Sequence, residues 1–461
     1  MNNPAVKTPN MDKLATGGMV FDNHYNTTAI CMASRACIMT GMHEYKTGCN
    51  FTYGPVRPEL FAQSYPVLLR QNGYRTGFAG KFGFAVTSVS NANQWHKEEG
   101  MPIDQFDFWA GWWGQGSYNT AENKYMKKYA EKYPHVTRAL GAAGQDFIRQ
   151  SAKKDRPFCL SISFKAPHGP VRPDPEFDDM YDGVLFPREK NFGLKAAEHL
   201  PIQAKSGRQY LRLGRAWMKD SDLRARYYQQ IYGIDVAIGM IRDELGRQGV
   251  ADNTIIIYTT DNGYFCGAHA MGGKVLPYEE GSRAPLIIYD PRHKSSGAKR
   301  RSTALTANID MAPTILNLAG LPIPKNMDGR TLVPVLDKPN MQMRESLLLT
   351  QVWGPRETHA LAVVTPRWKY IYWMYGDHQM PPAEELYDMQ TDRFELTNEV
   401  NNPLYKSDLK QMYAFYDKHI ERWKKDCVAD SRYQLYGQLA DRNIPWSEKT
   451  FGKQQRVKPN R

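Results

Sequence analysis

No stretch of this sequence approaches the roughly 18 to 20 unbroken apolar residues that a membrane helix needs, so no membrane span is expected. The opening residues Met1, Asn2, Asn3 and Pro4 carry neither a basic n-region nor an apolar h-region. As written the chain therefore reads as cytoplasmic, and a true start further upstream would make it periplasmic or secreted. Internal repeats and low-complexity tracts are missing, which argues against a solenoid or a largely disordered chain. The cysteines at 31, 37, 49, 159, 266 and 427 match neither a CxxC redox pair nor a zinc knuckle; their even number permits disulfides and leaves the compartment open. The basic residues are scattered and no nucleic-acid-binding motif is legible, so no nucleic-acid partner is expected.

What is present is ordinary in bulk. The 461 residues suffice for a large domain and a smaller one, and 41% hydrophobic with 23% charged residues suits a globular enzyme. The formal net charge of +12, from 60 Lys and Arg against 48 Asp and Glu, favours anionic partners such as a sulfated glycan. A basic surface that merely aids solubility would read the same way.

Strand-like and helix-like patterns alternate, as in an α/β layer fold. Residues 157–164 (PFCLSISF) read as a buried strand preceded by helical residues around 139–151. Ile231, Ile234, Ile238, Ile241 and Leu245 recur at spacings of three and four, one apolar face of a helix over 222–248. Residues 254–260 (TIIIYTT) then predict a central parallel strand, 285–289 a further strand, and 309–319 a helix with Gly320 beyond its end. From about residue 340 the short apolar runs 347–352, 360–364 and 368–372 predict an antiparallel sheet, and 403–425 a helix. The expected division is a catalytic domain over 1–340 and an antiparallel subdomain with its tail over 341–461.

The chemistry is concentrated in Cys31-Met32-Ala33-Ser34-Arg35-Ala36-Cys37-Ile38-Met39-Thr40-Gly41. This stretch resembles the signature C-x-[P/A]-S-R-x-x-x-x-T-G of the formylglycine-dependent sulfatases. With residue types near ~5% of usage each, such a match arises by chance in roughly one sequence in 10^5. The resemblance implies the α/β alkaline phosphatase-like fold: a large, mixed, mostly parallel central sheet flanked by helices, with a smaller C-terminal antiparallel sheet. It implies that a formylglycine-generating or sulfatase-maturating enzyme oxidises Cys31 to formylglycine, whose hydrated aldehyde attacks sulfur. Arg35, four residues on, shares a helical face with Cys31 and would hold the diol oxygens near a helix N-terminus that favours anions. Ala33 stands where proline is commoner.

The flanks extend the likeness. Residues 7–15 (KTPNMDKLA) are similar to a structural segment that family members carry just upstream. Lys81, in Gly80-Lys81-Phe82-Gly83, resembles a sulfate-binding lysine, with Gly83 where the family usually has a histidine. His168, in Pro167-His168-Gly169-Pro170, resembles a histidine that protonates the leaving group. Asp261 and Asn262, in a T-D-N-G turn, are similar to calcium ligands, with position 31 as a further one. Lys274 resembles a second sulfate-binding lysine, and His269 a residue near the substrate; Glu279, Glu280 and Arg283 read as a structural ion-pair set. Residues 386–388 and 397–398 resemble a C-terminal motif of the family, so the likeness spans nearly the whole chain.

The pattern breaks at its start. Family members begin with an apolar strand ending in two adjacent aspartates, both calcium ligands, and Asp12 and Asp22 here stand alone. The expected activity is hydrolysis of a sulfate ester on a small molecule or a glycan. The alternatives are a phosphonate or phosphate ester hydrolase of the same superfamily, or a non-catalytic protein that binds anionic glycans. Trp95, Trp109, Trp112, Trp113 and Tyr118 would stack on sugar rings or pack in the core.

Overall fold

The computed structural model describes residues 5–88, 98–376, 380–429 and 431–449. Its elements are α1 (Pro9–Gly17), β1 (Met19–Tyr25), α2 (Cys31–Thr40), β2 (Arg75–Lys81), β3 (Phe108–Trp112), α3 (Val136–Ser151), β4 (Phe158–Ser163), α4 (Ser221–Arg247), β5 (Ile256–Thr259), β6 (Leu286–Tyr289), β7 (Arg300–Ala307), α5 (Met311–Leu318), β8 (Leu347–Gln351), β9 (Ala360–Val364), β10 (Trp368–Trp373), β11 (Ala383–Asp388) and α6 (Lys406–Asp426), with shorter helical turns between them.

Three sheets form. β3-β2-β4 is wholly parallel, whereas β5-β6-β1-β7 is mixed: β6 runs antiparallel to both neighbours and β7 runs parallel to β1. The two sheets share a helical cover, for apolar residues of β4 and β5 meet α3 and α4 in common clusters. Among the described residues both β4 and β5 are edge strands, and they are half-buried along their whole length. The expectations of a buried strand at 157–164 and a central parallel strand at 254–260 are therefore corrected. Continuous apolar runs were read as two-sided burial, but among the described residues each strand has one neighbour, and β5 pairs antiparallel with β6.

The third sheet, β11-β10-β9-β8, is wholly antiparallel. Its alternation is clean: Leu348, Leu361, Val363, Tyr370 and Tyr372 face Met412, Tyr416, Ile420 and Trp423 of α6. Leu347, Leu349, Ala360, Ala362, Ile371 and Trp373 point the other way, onto Tyr278, Phe265 and Ile309. With both faces covered, β8, β9 and β10 are buried at every position.

The upstream 7–15 segment becomes α1, and its role is visible. Buried Asp235 of α4 accepts from the backbone N–H of Asn10 and Met11 and from Asn10 Nδ2, satisfying donors that a helix start leaves open. Asp22 pairs with Arg301 and Asp12 accepts from Thr8 Oγ1, so both are engaged locally. All six cysteines are free thiols. Trp109 packs on Phe78, Phe82 and Phe106, and Trp112 is buried, which places both in the core; Trp95 lies outside the described residues. No helix among the described residues is long and apolar enough to cross a membrane.

Candidate active site

Cys31 is the first residue of α2, with Ile30 in extended backbone before it, so its side chain sits at the positive end of the helix. The thiol is only 3% exposed. Four other elements converge on it. Lys274 Nζ lies 2.8 Å from the sulfur and Asn262 Oδ1 3.8 Å from it. The His168 imidazole hydrogen-bonds the thiol from the loop beyond β4, and its Nδ1 lies 2.7 Å from the Gly169 carbonyl oxygen. Lys81, last residue of β2 and 2% exposed, completes the ring of cations.

Arg35 is locked from both ends. Its Nε donates to Asp261 Oδ2 at 2.7 Å, and its Nη1 donates to the Lys81 carbonyl. The sequence break at Gly83 has its cause here. The residue has φ of +94°, and a Cβ built on it would stand 2.7 Å from Arg35 Cδ. The arginine fills the space that a side chain at 83 would take.

The electrostatics follow from this crowding. Burial alone raises the Cys31 pKa, but Lys274, Lys81 and the His168 hydrogen bond outweigh it and hold the thiol well below its usual range. Burial likewise works against the Asp261 carboxylate, and Arg35, Lys274 and Lys81 more than reverse it. Burial pushes Lys81 down to about 8, only partly offset by Cys31. Three cations, one of them a buried lysine with a lowered pKa, therefore face one carboxylate and one thiol, a field arranged for an incoming anion.

Cys31, Arg35, Lys81, His168, Asp261, Asn262 and Lys274 are thus brought together, and His269 is not. Its ring is fully buried, with Nδ1 2.9 Å from the Ala196 carbonyl oxygen and Nε2 beside Asn191. It belongs to a separate polar cluster with Glu280 and Glu395, where ligand atoms come within 4.8 Å of one another. Both Glu395 oxygens are already used there, by Lys369 Nζ and the Glu279 backbone N–H. The resemblance implied a place for His269 near the substrate; positive φ at His269 and Ala270 turns the chain between it and Lys274.

Two residues went unread in the sequence. Gln115 Oε1 accepts from Lys81 Nζ at 2.7 Å, and the Gln115 carbonyl accepts from Lys165 Nζ at 3.0 Å. Lys165 lies over the Tyr118 ring and is 6% exposed. A glutamine in a loop carries no signal of its own, but a lysine three residues before His168 was a readable hint.

Calcium fits the present donors poorly. Asp261 and Asn262 offer two hard oxygens where calcium takes six to eight, Asp261 is already paired with Arg35, and three cations stand around them. Formylglycine at position 31 fits well, because an ammonium at 2.8 Å and an imidazole are better partners for oxygens than for a buried thiol.

Comparison with known proteins agrees with this picture. The sulfatase family model matches residues 1–321, and that of the N-sulphoglucosamine sulphohydrolase C-terminal region matches 267–424. An N-acetylglucosamine-6-O-sulfatase of Bacteroides thetaiotaomicron is 27% identical, over 91% of this chain and 83% of that protein. The N-acetylglucosamine-6-sulfatase of Capra hircus is 30% identical, over 72% of this chain and 60% of its own length. Among solved structures, one in complex with its substrate D-glucosamine-2-N,6-O-disulfate superposes with a TM-score of 0.74 at 24% identity, over 92% of this chain and 94% of that one. The phosphonate monoester hydrolase of Agrobacterium radiobacter shares the fold at a TM-score of 0.72 and 21% identity, over 94% of each chain.

Proposed function

The chain belongs to the sulfatase family, and from that premise we propose that it hydrolyses a sulfate ester on an amino sugar or a glycan containing one, with Cys31 converted to formylglycine. The observation that carries this reading is the convergence of Lys274, Lys81, Arg35 and His168 on residue 31 at the start of α2. Once formed, formylglycine supplies a hydrated aldehyde, one hydroxyl to attack sulfur and the other to expel sulfate on losing its proton. Lys274 and Lys81 hold sulfate oxygens, and their preorganised charge is worth most in the transition state. Arg35, pinned by Asp261 and the Lys81 carbonyl, fixes residue 31. His168, with Nδ1 held at the Gly169 carbonyl, faces residue 31 with the rest of its ring, placed to protonate the departing sugar oxygen. No step is assigned to calcium, for which the described residues make no complete shell.

Cys31 is too buried in the folded chain for an enzyme to reach, so conversion precedes folding. The test is co-expression with a formylglycine-generating enzyme, mass spectrometry of the peptide bearing residue 31, and turnover of aryl sulfate, aryl phosphate and glucosamine 6-sulfate. Conversion with sulfate turnover that Cys31→Ala abolishes is expected. Preference for the phosphate ester would instead support the phosphonate-hydrolase reading that the shared fold keeps alive. Tight sulfate binding without turnover in the converted protein would support the non-catalytic one.

A further inference from the structure

The net charge of +12 is not spread evenly. Residues 188–226 carry ten lysines and arginines against four acids, and residues 205–219 carry five against none. This acid-free segment lies against the turn that leads into Lys274. The Leu211 N–H donates to the Ala270 carbonyl at 3.1 Å, the Gly272 N–H donates to the Gln209 carbonyl at 2.9 Å, and Leu213 Cδ1 lies 3.1 Å from where a Cβ on Gly273 would stand. Arg208, Arg212 and Arg215 are exposed, and among the described residues none has a carboxylate within ion-pair reach. Three unpaired guanidiniums on one short segment repel each other through water, a cost that a structural role leaves unexplained.

Arg208 also has an aromatic partner. Its guanidinium lies 5.1 Å from the ring centroid of Trp353, a half-buried residue just beyond β8. Trp353 packs with Ile30, Ala33 and Val275, the neighbours of Cys31 and Lys274. The pair thus adjoins residues that flank Cys31 and Lys274 in the chain. A guanidinium over an indole presents a flat apolar face edged with donors, a surface that suits a sugar ring bearing an anionic group.

We propose that Arg208, Arg212 and Trp353 form a second subsite, which binds a sulfate or carboxylate on the sugar next to the one that carries the scissile ester. This rests on the sulfatase reading and narrows its substrate to polyanionic oligosaccharides. It also gives the C-terminal sheet a direct part in recognition through the residue that follows β8.

The experiment separates binding from turnover. In the full chain carrying Cys31→Ala, affinity for a heparin-derived tetrasaccharide is measured by calorimetry over a range of salt. Arg208→Ala with Arg212→Ala is expected to weaken binding at least tenfold and to flatten the salt dependence, with an unchanged melting temperature because both residues are exposed. Trp353→Ala is expected to weaken it severalfold, with less change in salt dependence. In the converted enzyme, the arginine variant should lower the ratio of kcat/KM for a multiply sulfated substrate over glucosamine 6-sulfate by a similar factor. Affinity within twofold of the parent, or equally tight capture of a DNA duplex through the same arginines, would overturn the subsite. Loss of affinity in the variants alongside no turnover of any sulfate ester would uphold the subsite and sink the catalytic reading instead.

Discussion

Two clusters of buried charge lie on either side of the segment 262–285, and they are balanced differently. Toward the C-terminal sheet, Lys369 is fully buried and donates at 2.7 Å to both Glu279 and Glu395. Burial works against its ammonium, but the two carboxylates outweigh it and raise its pKa. Toward α2, Lys274, Lys81 and Arg35 face a single carboxylate, Asp261. The first cluster has its counter-charges built in, and the second waits for one. Two cysteines of α2 report the same contrast: both are buried, yet the cations hold Cys31 well below the usual thiol range while burial drives Cys37 well above it. A buried thiol that ionises readily marks a positive potential that the protein alone does not neutralise.

The contrast breaks most visibly at Lys369. Lys369→Met leaves Glu279 and Glu395 buried without their cation and should cost about 3–5 kcal/mol, read from the urea midpoint of unfolding. An unchanged midpoint would mean that the cluster does not anchor the sheet. Lys274→Ala should do the reverse. It removes one cation from a crowded positive site, so stability stays level or rises, while kcat/KM on a sulfate ester falls about 10²–10³-fold, or about 2.7–4 kcal/mol. If the variant unfolds early and its folded fraction keeps full activity, Lys274 is structural and the two clusters are alike.

Much of this division is readable in the sequence, for reasons that can be named. The C-terminal sheet is legible because each strand has two covered faces, so alternation and burial agree from Leu347 to Trp373. Most of the seven site residues are legible because Cys31 begins α2, Lys81 ends β2, and His168, Asp261 and Asn262 follow β4 and β5, where short motifs have fixed geometry. The edge positions of β4 and β5 are not, because an apolar run such as 157–164 looks the same with one neighbour or two. The resemblance could not show where His269 lies, because positive φ at His269 and Ala270 turns the backbone between it and Lys274. Gln115 and Trp353 reach the site from distant loops, and no local pattern announces either.

A pH series sharpens the comparison with the smallest effect. In the structural cluster, burial pushes Glu280 up to about 7, above the ordinary carboxyl value. A raised folded-state pKa contributes stability that is complete below the unfolded value and is lost as pH rises through about 7. In the catalytic cluster, Lys81 near 8 keeps its charge below that pH and loses it above, so its grip on sulfate weakens on the alkaline side. The melting temperature should therefore fall between about pH 4.5 and 7 and level off there, below the range in which kcat/KM should fall about tenfold, or ~1.4 kcal/mol, for each pH unit above 8. Because kcat/KM reports the free enzyme and a bound sulfate holds the proton on Lys81, the alkaline limb of kcat should sit at higher pH. Lys81→Arg should move the kcat/KM limb out of range at some loss of rate. A limb that stays near 8 in that variant would assign the titration to another group, with Lys165, also lowered by burial, the next to test.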